Sequence, residues 1–289
     1  MHLEMGNKME KKLKKFTICT NVIKDPKLEI AENVRNTILT NVAGAEAKLC
    51  KMEECASYDF SNTECVIVLG GDGTLLRVAK EIRMLELPLL GINLGTLGFL
   101  AEVELAGVEE AVKRLAAGDY HVEERMMLDG VVDNEDGDTC VITALNDIVL
   151  SRRLDLQLIG YRVYVNGVFL SDFYGDGVIL SSPTGSTGYN MSAGGSIVEP
   201  KAKLIVLTAV SPHTMNNRSV MLSPEDIVEV EILPPKGTKA VEVGVYFDGD
   251  DARILHPGDR VRISSSPLVT KVLKLSDVGF LEVLRNKMN

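Results

Sequence analysis

The apolar segment Val66–Leu69, directly followed by Gly70–Thr74 (Gly-Gly-Asp-Gly-Thr), restricts the fold of this chain more than any other feature. Four consecutive valine, isoleucine and leucine residues are typical of a strand that is buried on both faces. The glycines lack a Cβ atom, so another molecule's backbone or phosphate can approach them closely. We expect Asp72 to lie among these glycines with little to shield it.

The residues after this turn predict a helix from about Leu75 to Leu85. The N-terminus of a helix has free N–H groups and the positive end of the helix dipole, so it attracts phosphate. Strand, turn and helix therefore predict a phosphate site, to which Asp72 adds a candidate group for phosphoryl transfer or metal binding. The alternative is ordinary turn chemistry, with Asp72 capping the helix. The turn lacks the Gly-Lys-Ser/Thr of a Walker A loop, and Leu76 stands where Gly-x-Gly-x-x-Gly needs glycine.

Composition and charge narrow the class of protein. The 289 residues carry a formal net charge of −10, which argues against nucleic acid or an anionic membrane as the main partner. No apolar run has the length of a membrane span, and the lysine-rich N-terminus lacks the apolar segment of a signal peptide. The five cysteines are irregularly spaced without Cys-x-x-Cys, so they predict reduced thiols, no metal site and a cytoplasmic protein.

The first part of the chain alternates between strands and helices. The predicted strands are Phe16–Thr20, Cys65–Leu69 and Pro88–Ile92, and the predicted helices are Leu28–Ala43, Leu75–Leu85 and Val108–Ala117. This alternation predicts a parallel sheet with helices on both faces and ligands at its carboxyl edge. We assign residues 1–122 to an α/β nucleotide-binding domain.

From about residue 121 the pattern becomes that of a mainly antiparallel all-β domain, which we assign to residues 123–266. The predicted strands are Met127–Val132, Cys140–Ala144, Asn146–Leu150, Arg162–Val165, Val178–Leu180, Leu204–Ala209, Ile227–Ile232, Val241–Phe247, Arg260–Ile263 and Val269–Leu273. Hairpin connections are predicted at Asp133–Thr139 and at Asn166-Gly167. Helical patterns recur only at Asn190–Ile197 and Phe280–Asn289, and we expect residues 267–289 to pack back on the first domain.

Two polar segments of the β region point to a nucleotide. Residues 175–195 form a strand followed by a loop of hydroxyls and glycines, which could bond ribose or phosphate oxygens, while Tyr189 could stack on a base or nicotinamide ring. A polar surface loop is the alternative. Asn146 and Asp147 open an apolar strand and could contact ribose hydroxyls and an adenine amine, and for them a turn or bulge is the alternative.

Taken together, these motifs resemble the NAD kinase family in its bacterial form. The motifs are Gly-Gly-Asp-Gly-Thr at 70–74, Asn-Leu-Gly-Thr-Leu-Gly-Phe-Leu at 93–100, Leu-Asn-Asp at 145–147, Gly-Asp-Gly-Val-Ile-Leu-Ser-Ser-Pro-Thr-Gly-Ser-Thr-Gly-Tyr at 175–189 and Ser-Pro-His-Thr at 211–214. The resemblance extends from about Phe16 to about Ser266. The first motif is shared with diacylglycerol and sphingosine kinases, whereas the motif at 175–189 is specific.

The resemblance implies a role for each matching residue. Asp72 matches the aspartate that orients or deprotonates the adenosine 2′-hydroxyl of NAD, and Asp176 matches a carboxylate that contacts the dinucleotide from a neighbouring subunit. The other implied binding residues are Gly71, Gly73, Thr74, Arg77, Phe99, Asn146, Asp147, Thr187, Gly188, Tyr189, Asn190, Met191, Ser192, Ser211 and Asp248. Gly188 departs from the alanine of many members, and Asp250 adds a carboxylate to the segment that begins at Asp248.

The resemblance implies ATP-dependent phosphorylation of NAD to NADP, with Mg²⁺ or another divalent cation carried by the nucleoside triphosphate and no metal held by the protein alone. It further implies a homodimer or homotetramer with the NAD site near a subunit interface. A lipid kinase with the same glycine turn is one alternative, but it would need an apolar acyl pocket or a membrane-facing patch that the sequence does not contain. A non-catalytic NAD(P)-binding sensor is the other.

Overall fold

The computed structural model describes residues 10–95, 98–133, 139–153, 158–213, 218–235, 242–275 and 279–288. The chain divides into two compact units, Met1–Glu124 with Thr270–Asn289 and Arg125–Val269. The helices are α1 (Glu29–Asn41), α2 (Asp72–Ile82), α3 (Val108–Ala117), α4 (Tyr189–Ser192) and α5 (Phe280–Met288). No helix among these residues combines the length and apolar character that crossing a membrane requires.

The strands are β1 (Lys15–Thr20), β2 (Glu46–Lys51), β3 (Cys65–Gly70), β4 (Leu89–Asn93), β5 (Val103–Glu104), β6 (His121–Asp133), β7 (Thr139–Ala144), β8 (Asp147–Arg152), β9 (Ile159–Val165), β10 (Val168–Gly175), β11 (Gly177–Ser181), β12 (Ile205–Val210), β13 (Val220–Leu222), β14 (Val228–Ile232), β15 (Val243–Phe247), β16 (Asp250–Leu255) and β17 (Arg260–Lys274).

In the first unit, a parallel sheet runs in the order β2-β1-β3-β4, and β4 also pairs with β5 and, at Leu89, with Val272. All six residues of β3 are buried, as its unbroken apolar run predicts. One face of the sheet packs on α1 and α3, and the turn Met52–Ser57, a 3₁₀ helix, packs on α2. The predicted α/β fold with a mostly parallel sheet is confirmed.

The second unit contains an antiparallel sheet in the order β13-β12-β11-β8-β15-β16. The strands β10, β9, β14 and the first part of β17 pair antiparallel as well, and so do β6 and β7. An aliphatic core with buried Tyr161 and Phe247 joins these strands. The predicted mainly antiparallel β fold is confirmed.

Several predicted element boundaries are wrong. The helix α2 begins at Asp72 rather than Leu75, because the turn residues already take up helical hydrogen bonding from Gly71. The segments Arg260–Ile263 and Val269–Leu273 belong to the single strand β17, and the helix expected at Asn190–Ile197 is one turn. The sequence prediction also missed β2, β5, β13 and β16, and it placed the hairpin turn before β10 without giving a range for that strand. Within the predicted loop Asp133–Thr139, residues 134–138 lie outside the described residues.

Candidate functional site

The glycine turn places Asp72 as the first residue of α2, at the carboxyl end of β3. Its carboxylate accepts two backbone N–H groups, with Oδ2 2.8 Å from the nitrogen of Phe99 and Oδ1 3.1 Å from that of Leu100. A Cβ atom at Gly98 would overlap this carboxylate, so the segment passes directly over it. The expectation that little shields Asp72 is therefore wrong, because the turn is backed by a second segment that fixes the carboxylate.

The other side of the turn is open. Among the described residues, no atom outside the turn lies within 4 Å of where a Cβ at Gly73 would stand. The ammonium of Lys24 lies 3.6 Å from the Cβ position of Gly71 and 3.8 Å from that of Gly95. The sequence reading missed Lys24, although its place just after β1 puts it at the same sheet edge as the turn. The turn thus offers one fixed carboxylate, free space and a nearby cation.

The remaining predicted residues of the first unit have different surroundings. Thr74 is buried, and its hydroxyl accepts a hydrogen bond from the amide of Asn21 at 3.4 Å, so its side chain supports the turn. Arg77 is exposed on α2. The ring of Phe99 lies 6.2 Å from that of Phe280 in α5, and the Lys287 ammonium is 4.7 Å from the centre of the Phe99 ring.

In the second unit, Asp248 holds the segment that contains the Asn-Asp pair. Its carboxylate accepts the backbone N–H groups of Leu145, Asn146 and Asp147 at 2.8, 2.6 and 3.2 Å. Asp248 and Gly249 both have positive φ angles, 51° and 80°, and form the tight turn between β15 and β16. Asp248 therefore fixes the backbone beneath two predicted binding residues.

Several polar side chains of the hydroxyl-rich loop form hydrogen bonds within the protein. The hydroxyls of Ser181 and Ser182 donate to the carbonyls of Asn146 and Leu145. Asn190 is completely buried, its amide donates to the carbonyls of Ser186 and Ser196, and its oxygen accepts from the Thr208 hydroxyl. The side chain of Asn190 thus anchors the loop. Any contact between Asn190 and a ligand would therefore have to be made by the backbone of Asn190.

A cavity of about 420 Å³ opens beside the Asn-Asp pair. The residues that line it are Asn146, Asp147, Val149, Ser151, Tyr189, Tyr246, Asp248 and Gly249. Four of them were predicted as binding residues: Asn146, Asp147, Tyr189 and Asp248. The period of two along β8 places Asp147, Val149 and Ser151 on one face, which is a signal that could have extended the prediction. The volume lies in the range of small-molecule sites.

The carboxyl of Asp147 sits in an unusual electrostatic setting. Only 6% of the residue is exposed. Burial, and after it the negative charge of Asp248, raise the pKa of Asp147 to about 7. Near neutral pH this group can therefore either donate or accept a hydrogen bond. In addition, the Oδ1 atom of Asn146 is buried and has no hydrogen-bond partner among the described residues, so it can accept from a ligand.

The other predicted residues of this unit differ in their distance from the Asn-Asp pair. Gly188 lies close to the pair, since a Cβ there would stand 3.5 Å from the Asn146 amide nitrogen. The hydroxyl of Thr187 donates to the Thr184 carbonyl at 3.3 Å, while Met191 and Ser192 are exposed.

Asp176 and Ser211 flank the start of β11, opposite the end that pairs with Asp147. The Asp176 carboxylate lies 3.2 Å from the Arg152 guanidinium. Of the motif 211–214, Thr214 lies outside the described residues.

Comparison with known proteins matches both halves of the chain to domain models of one family. Residues 3–120 match the family model of the ATP-NAD kinase N-terminal domain, and residues 145–275 match that of the ATP-NAD kinase C-terminal domain. The chain belongs to the NAD kinase family. The predicted family and enzyme class, an NAD kinase, are confirmed.

Individual relatives agree with this assignment. An NAD kinase of Agathobacter rectalis is 41% identical over 282 residues, which cover 96% of this chain and 99% of the relative. An NAD kinase of Lachnoclostridium phytofermentans is 38% identical over 284 residues, covering 95% of this chain and 99% of the relative.

Two solved structures share the fold. Yeast NADH kinase, solved with NADH, has a TM-score of 0.84 at 21% identity and covers 97% of this chain and 89% of its own. An NAD kinase from Archaeoglobus fulgidus, solved with ATP, has a TM-score of 0.73 at 22% identity and covers 94% of this chain and 98% of its own. These similarities confirm the two-part fold.

Proposed function

We propose that this NAD kinase family member transfers the γ-phosphoryl group of ATP to the 2′-hydroxyl of the adenosine ribose of NAD, with Asp72 as the catalytic group. The observation that carries the proposal is the pair of N–H bonds from Phe99 and Leu100 to the Asp72 carboxylate. They fix a single carboxylate at a helix N-terminus beside the open space at Gly73. A fixed carboxylate beside a phosphate-binding helix end suits the activation of a hydroxyl.

The chemistry follows from this geometry. Each carboxylate oxygen of Asp72 accepts one N–H and keeps lone pairs for the ribose 2′-hydroxyl. The hydroxyl proton passes to Asp72 as the bond from O2′ to the γ-phosphorus forms and the bond from that phosphorus to the leaving ADP oxygen breaks. The transition state is loose, so positioning and neutralisation of phosphate charge contribute most of the rate enhancement.

We assign the triphosphate to the N-terminus of α2, with Lys24 and Arg77 as its proposed cationic contacts. A divalent cation such as Mg²⁺, carried by the triphosphate, would neutralise phosphate charge and orient the leaving group. In the part of the chain that the structure describes, only Cys19, Cys50 and Cys55 form a group of three or more His, Cys, Asp or Glu side chains able to share an ion. The donor set at the turn, Asp72 alone, therefore fits a cation that arrives with its nucleotide.

We assign the dinucleotide to the cavity of the second unit. Its aromatic side chains Tyr189 and Tyr246 suit the face of a base, and Asn146 and Asp147 supply acceptors for ribose hydroxyls or an adenine amine. Thr187, Gly188, Met191 and Ser192 would border the same ligand along the loop, and Phe99, Asp176 and Ser211 remain proposed contacts. The first unit is accordingly proposed as the nucleotide-binding domain and the second as the dinucleotide-binding domain.

We further propose a cytoplasmic homo-oligomer. Five free cysteines, four of them buried, suit a reducing compartment. Val168, Phe169 and Leu170 expose apolar side chains on the hairpin of β9 and β10, where a second copy could cover them. Light scattering on the purified chain should give the mass of a dimer or tetramer. A monomer at micromolar concentration would contradict the oligomer.

A coupled assay tests the activity. The chain is incubated with NAD, ATP and Mg²⁺, and NADP is detected with an NADP-specific dehydrogenase. We expect NADP in the wild type and a fall of at least about 10³-fold in kcat for Asp72→Ala, because general-base and positioning roles contribute up to about 10⁴-fold.

Binding measurements separate the alternatives. Asp72→Ala should bind NAD with nearly wild-type affinity, since the dinucleotide site is assigned to other residues. If wild-type protein binds NAD but forms no NADP with any triphosphate, a non-catalytic sensor is correct. If it binds no NAD and phosphorylates a diacylglycerol or sphingoid base, a lipid kinase is correct.

A further inference from the structure

Three cysteines that are distant in sequence meet in the first unit. Cys19 in β1 and Cys50 in β2 are register partners on adjacent strands, and the 3₁₀ helix Met52–Ser57 brings Cys55 back to them. The Sγ atom of Cys55 lies 3.5 Å from that of Cys50 and 3.5 Å from that of Cys19, and all three Sγ atoms lie within 4.8 Å of one another. We call these three residues the cysteine cluster.

The cysteine cluster has the dimensions of a metal–thiolate site. Metal–sulfur bonds to Zn²⁺ are about 2.3 Å long, so three sulfurs around one ion lie about 3.7–4.0 Å apart in tetrahedral or trigonal geometry. The two Sγ distances of 3.5 Å need to lengthen by only a few tenths of an ångström. Small side-chain rotations, without movement of the strands, would admit an ion.

The environment of the cluster selects the kind of ion. The three cysteines are 0%, 1% and 3% exposed, so an ion among them would be shielded from water. Thiolates favour soft cations such as Zn²⁺ and Cu⁺ over Mg²⁺ and Ca²⁺. The carbonyl oxygen of Lys51 lies 3.3 Å from the Sγ of Cys50 and 3.7 Å from that of Cys55, so an oxygen is at hand for a fourth position.

We propose that the cysteine cluster is a closed binding site for one soft d¹⁰ cation, Zn²⁺ or Cu⁺, held by three thiolates. On binding, three sulfur–metal bonds form, the three S–H protons pass to solvent, and no electron is transferred. Zn²⁺ cancels two of the three buried negative charges and Cu⁺ only one, so burial favours Zn²⁺.

A disulfide and simple apolar packing are the competing explanations. A disulfide joins two sulfurs at about 2.05 Å and leaves the third unused, whereas the Sγ atom of Cys55 lies 3.5 Å from each of the other two sulfurs, and all three residues are free thiols. Simple packing predicts aliphatic neighbours, yet these thiols form hydrogen bonds with each other and with the Lys51 carbonyl. The three sulfurs therefore lie close enough together to bind one ion.

The ion would join elements that support the catalytic turn. It would tie β1 and β2 to the 3₁₀ helix, which packs against α2. The first residue of α2 is Asp72. Metal occupancy should therefore raise the thermal stability of the first unit without providing a catalytic group.

The experiment uses the full-length chain, reduced and freed of metal by a chelator under anaerobic conditions. Co²⁺ serves as the spectroscopic probe, since the intensity of its thiolate charge-transfer bands counts the sulfurs bound. We expect one Co²⁺ per chain with three thiolates, stoichiometric displacement by Zn²⁺, and a separate titration that gives one Cu⁺ per chain. Zn²⁺ should raise the Tm of the wild type.

Matched variants locate the site. Cys55→Ser should lower Zn²⁺ affinity at least about 100-fold and abolish the Tm shift. Cys65→Ala removes a cysteine that is equally buried in β3, and Cys140→Ser removes the most exposed one, so both should bind Zn²⁺ as the wild type does.

Three results would overturn the proposal. They are wild-type protein without thiolate–Co²⁺ bands, a loss of Zn²⁺ binding in Cys65→Ala or Cys140→Ser equal to that in Cys55→Ser, and a disulfide within the cluster in protein kept under reductant. The wild-type spectrum needs no variant, so it decides the question even if Cys55→Ser fails to fold.

Discussion

Two carboxylates that we propose as functional groups, one in each unit, have opposite environments. Asp72 in the first unit accepts two backbone N–H groups at a helix N-terminus and borders open space. Asp147 in the second unit is almost fully buried and faces the negative charge of Asp248, which together raise its pKa to about 7. The first environment positions the carboxylate through backbone N–H donors, and the second disfavours ionisation of the carboxyl.

The difference shows how each unit can serve its proposed role. A group that activates a hydroxyl must be held at a fixed position with lone pairs still available, and two backbone N–H donors hold Asp72 in this way. A group that recognises a dinucleotide benefits from burial and from a choice between donor and acceptor. The same residue type therefore acquires two chemistries from its surroundings.

The largest expected effect concerns Asp147. Its pKa rises from 3.8 to about 7 on folding, so its contribution to stability is fully present below pH about 4 and is lost as pH rises through about 7. Urea unfolding between these pH values should show a decrease in the free energy of unfolding of about 4 kcal/mol from this group. Asp147→Asn should remove that part of the slope. An unchanged slope in the variant would mean that Asp147 ionises normally.

The next effect concerns the support of Asp72. A methyl group at Gly98 would overlap the Asp72 carboxylate and displace it, so we expect Gly98→Ala to lower kcat about 10²-fold. Gly279→Ala is the control, since no atom of the residues that the structure describes lies within 4 Å of its Cβ position. Steady-state kinetics with NAD and ATP measure both. Wild-type kcat in Gly98→Ala would refute the fixed carboxylate.

The variant Asp248→Ala tests whether Asp248 holds the Asn-Asp pair of the second unit in position. Asp248→Ala removes the acceptor of three backbone N–H groups, so it should reduce the free energy of unfolding by about 2 kcal/mol. We also expect KM for NAD to rise about tenfold with kcat nearly unchanged, because the Asn-Asp pair loses its position. Asp250→Ala, which changes the neighbouring carboxylate, is the matched control. If both variants raise KM equally, general charge rather than positioning is responsible.

The smallest effect concerns Lys24. Its ammonium lies near Gly71 and Gly95, so Lys24→Ala should raise KM for ATP about threefold to tenfold through the loss of one phosphate contact. Lys27→Ala, which removes a nearby cation that pairs with Glu29, should leave KM for ATP unchanged. Equal changes in the two variants would assign the effect to net charge.

The strands and helices around the turn could be predicted because their patterns are local. Val66–Leu69 is apolar at every position, and Val108–Ala117 has helical spacing and ends at Gly118, so both predictions match the structure. The boundary of α2 could not be predicted, because Gly-Asp-Gly has low helix propensity and only the tertiary setting holds Asp72 in helical conformation. The two segments of β17 could not be joined in advance, because Ser264–Ser266 and Pro267 between them are typical of a turn.

The sequence by itself determined the family, the order of the two folds and Asp72 as the candidate catalytic group, since these depend on contiguous motifs. Only the tertiary structure decided what each polar group does. It assigns Asn190 and Asp248 to holding the backbone, leaves Asn146 and Asp147 facing a cavity, and brings Lys24 to the turn. It also unites Cys19, Cys50 and Cys55, whose spacing shows no metal motif. The physical reason is that hydrogen-bond partners and burial come from segments far apart in sequence.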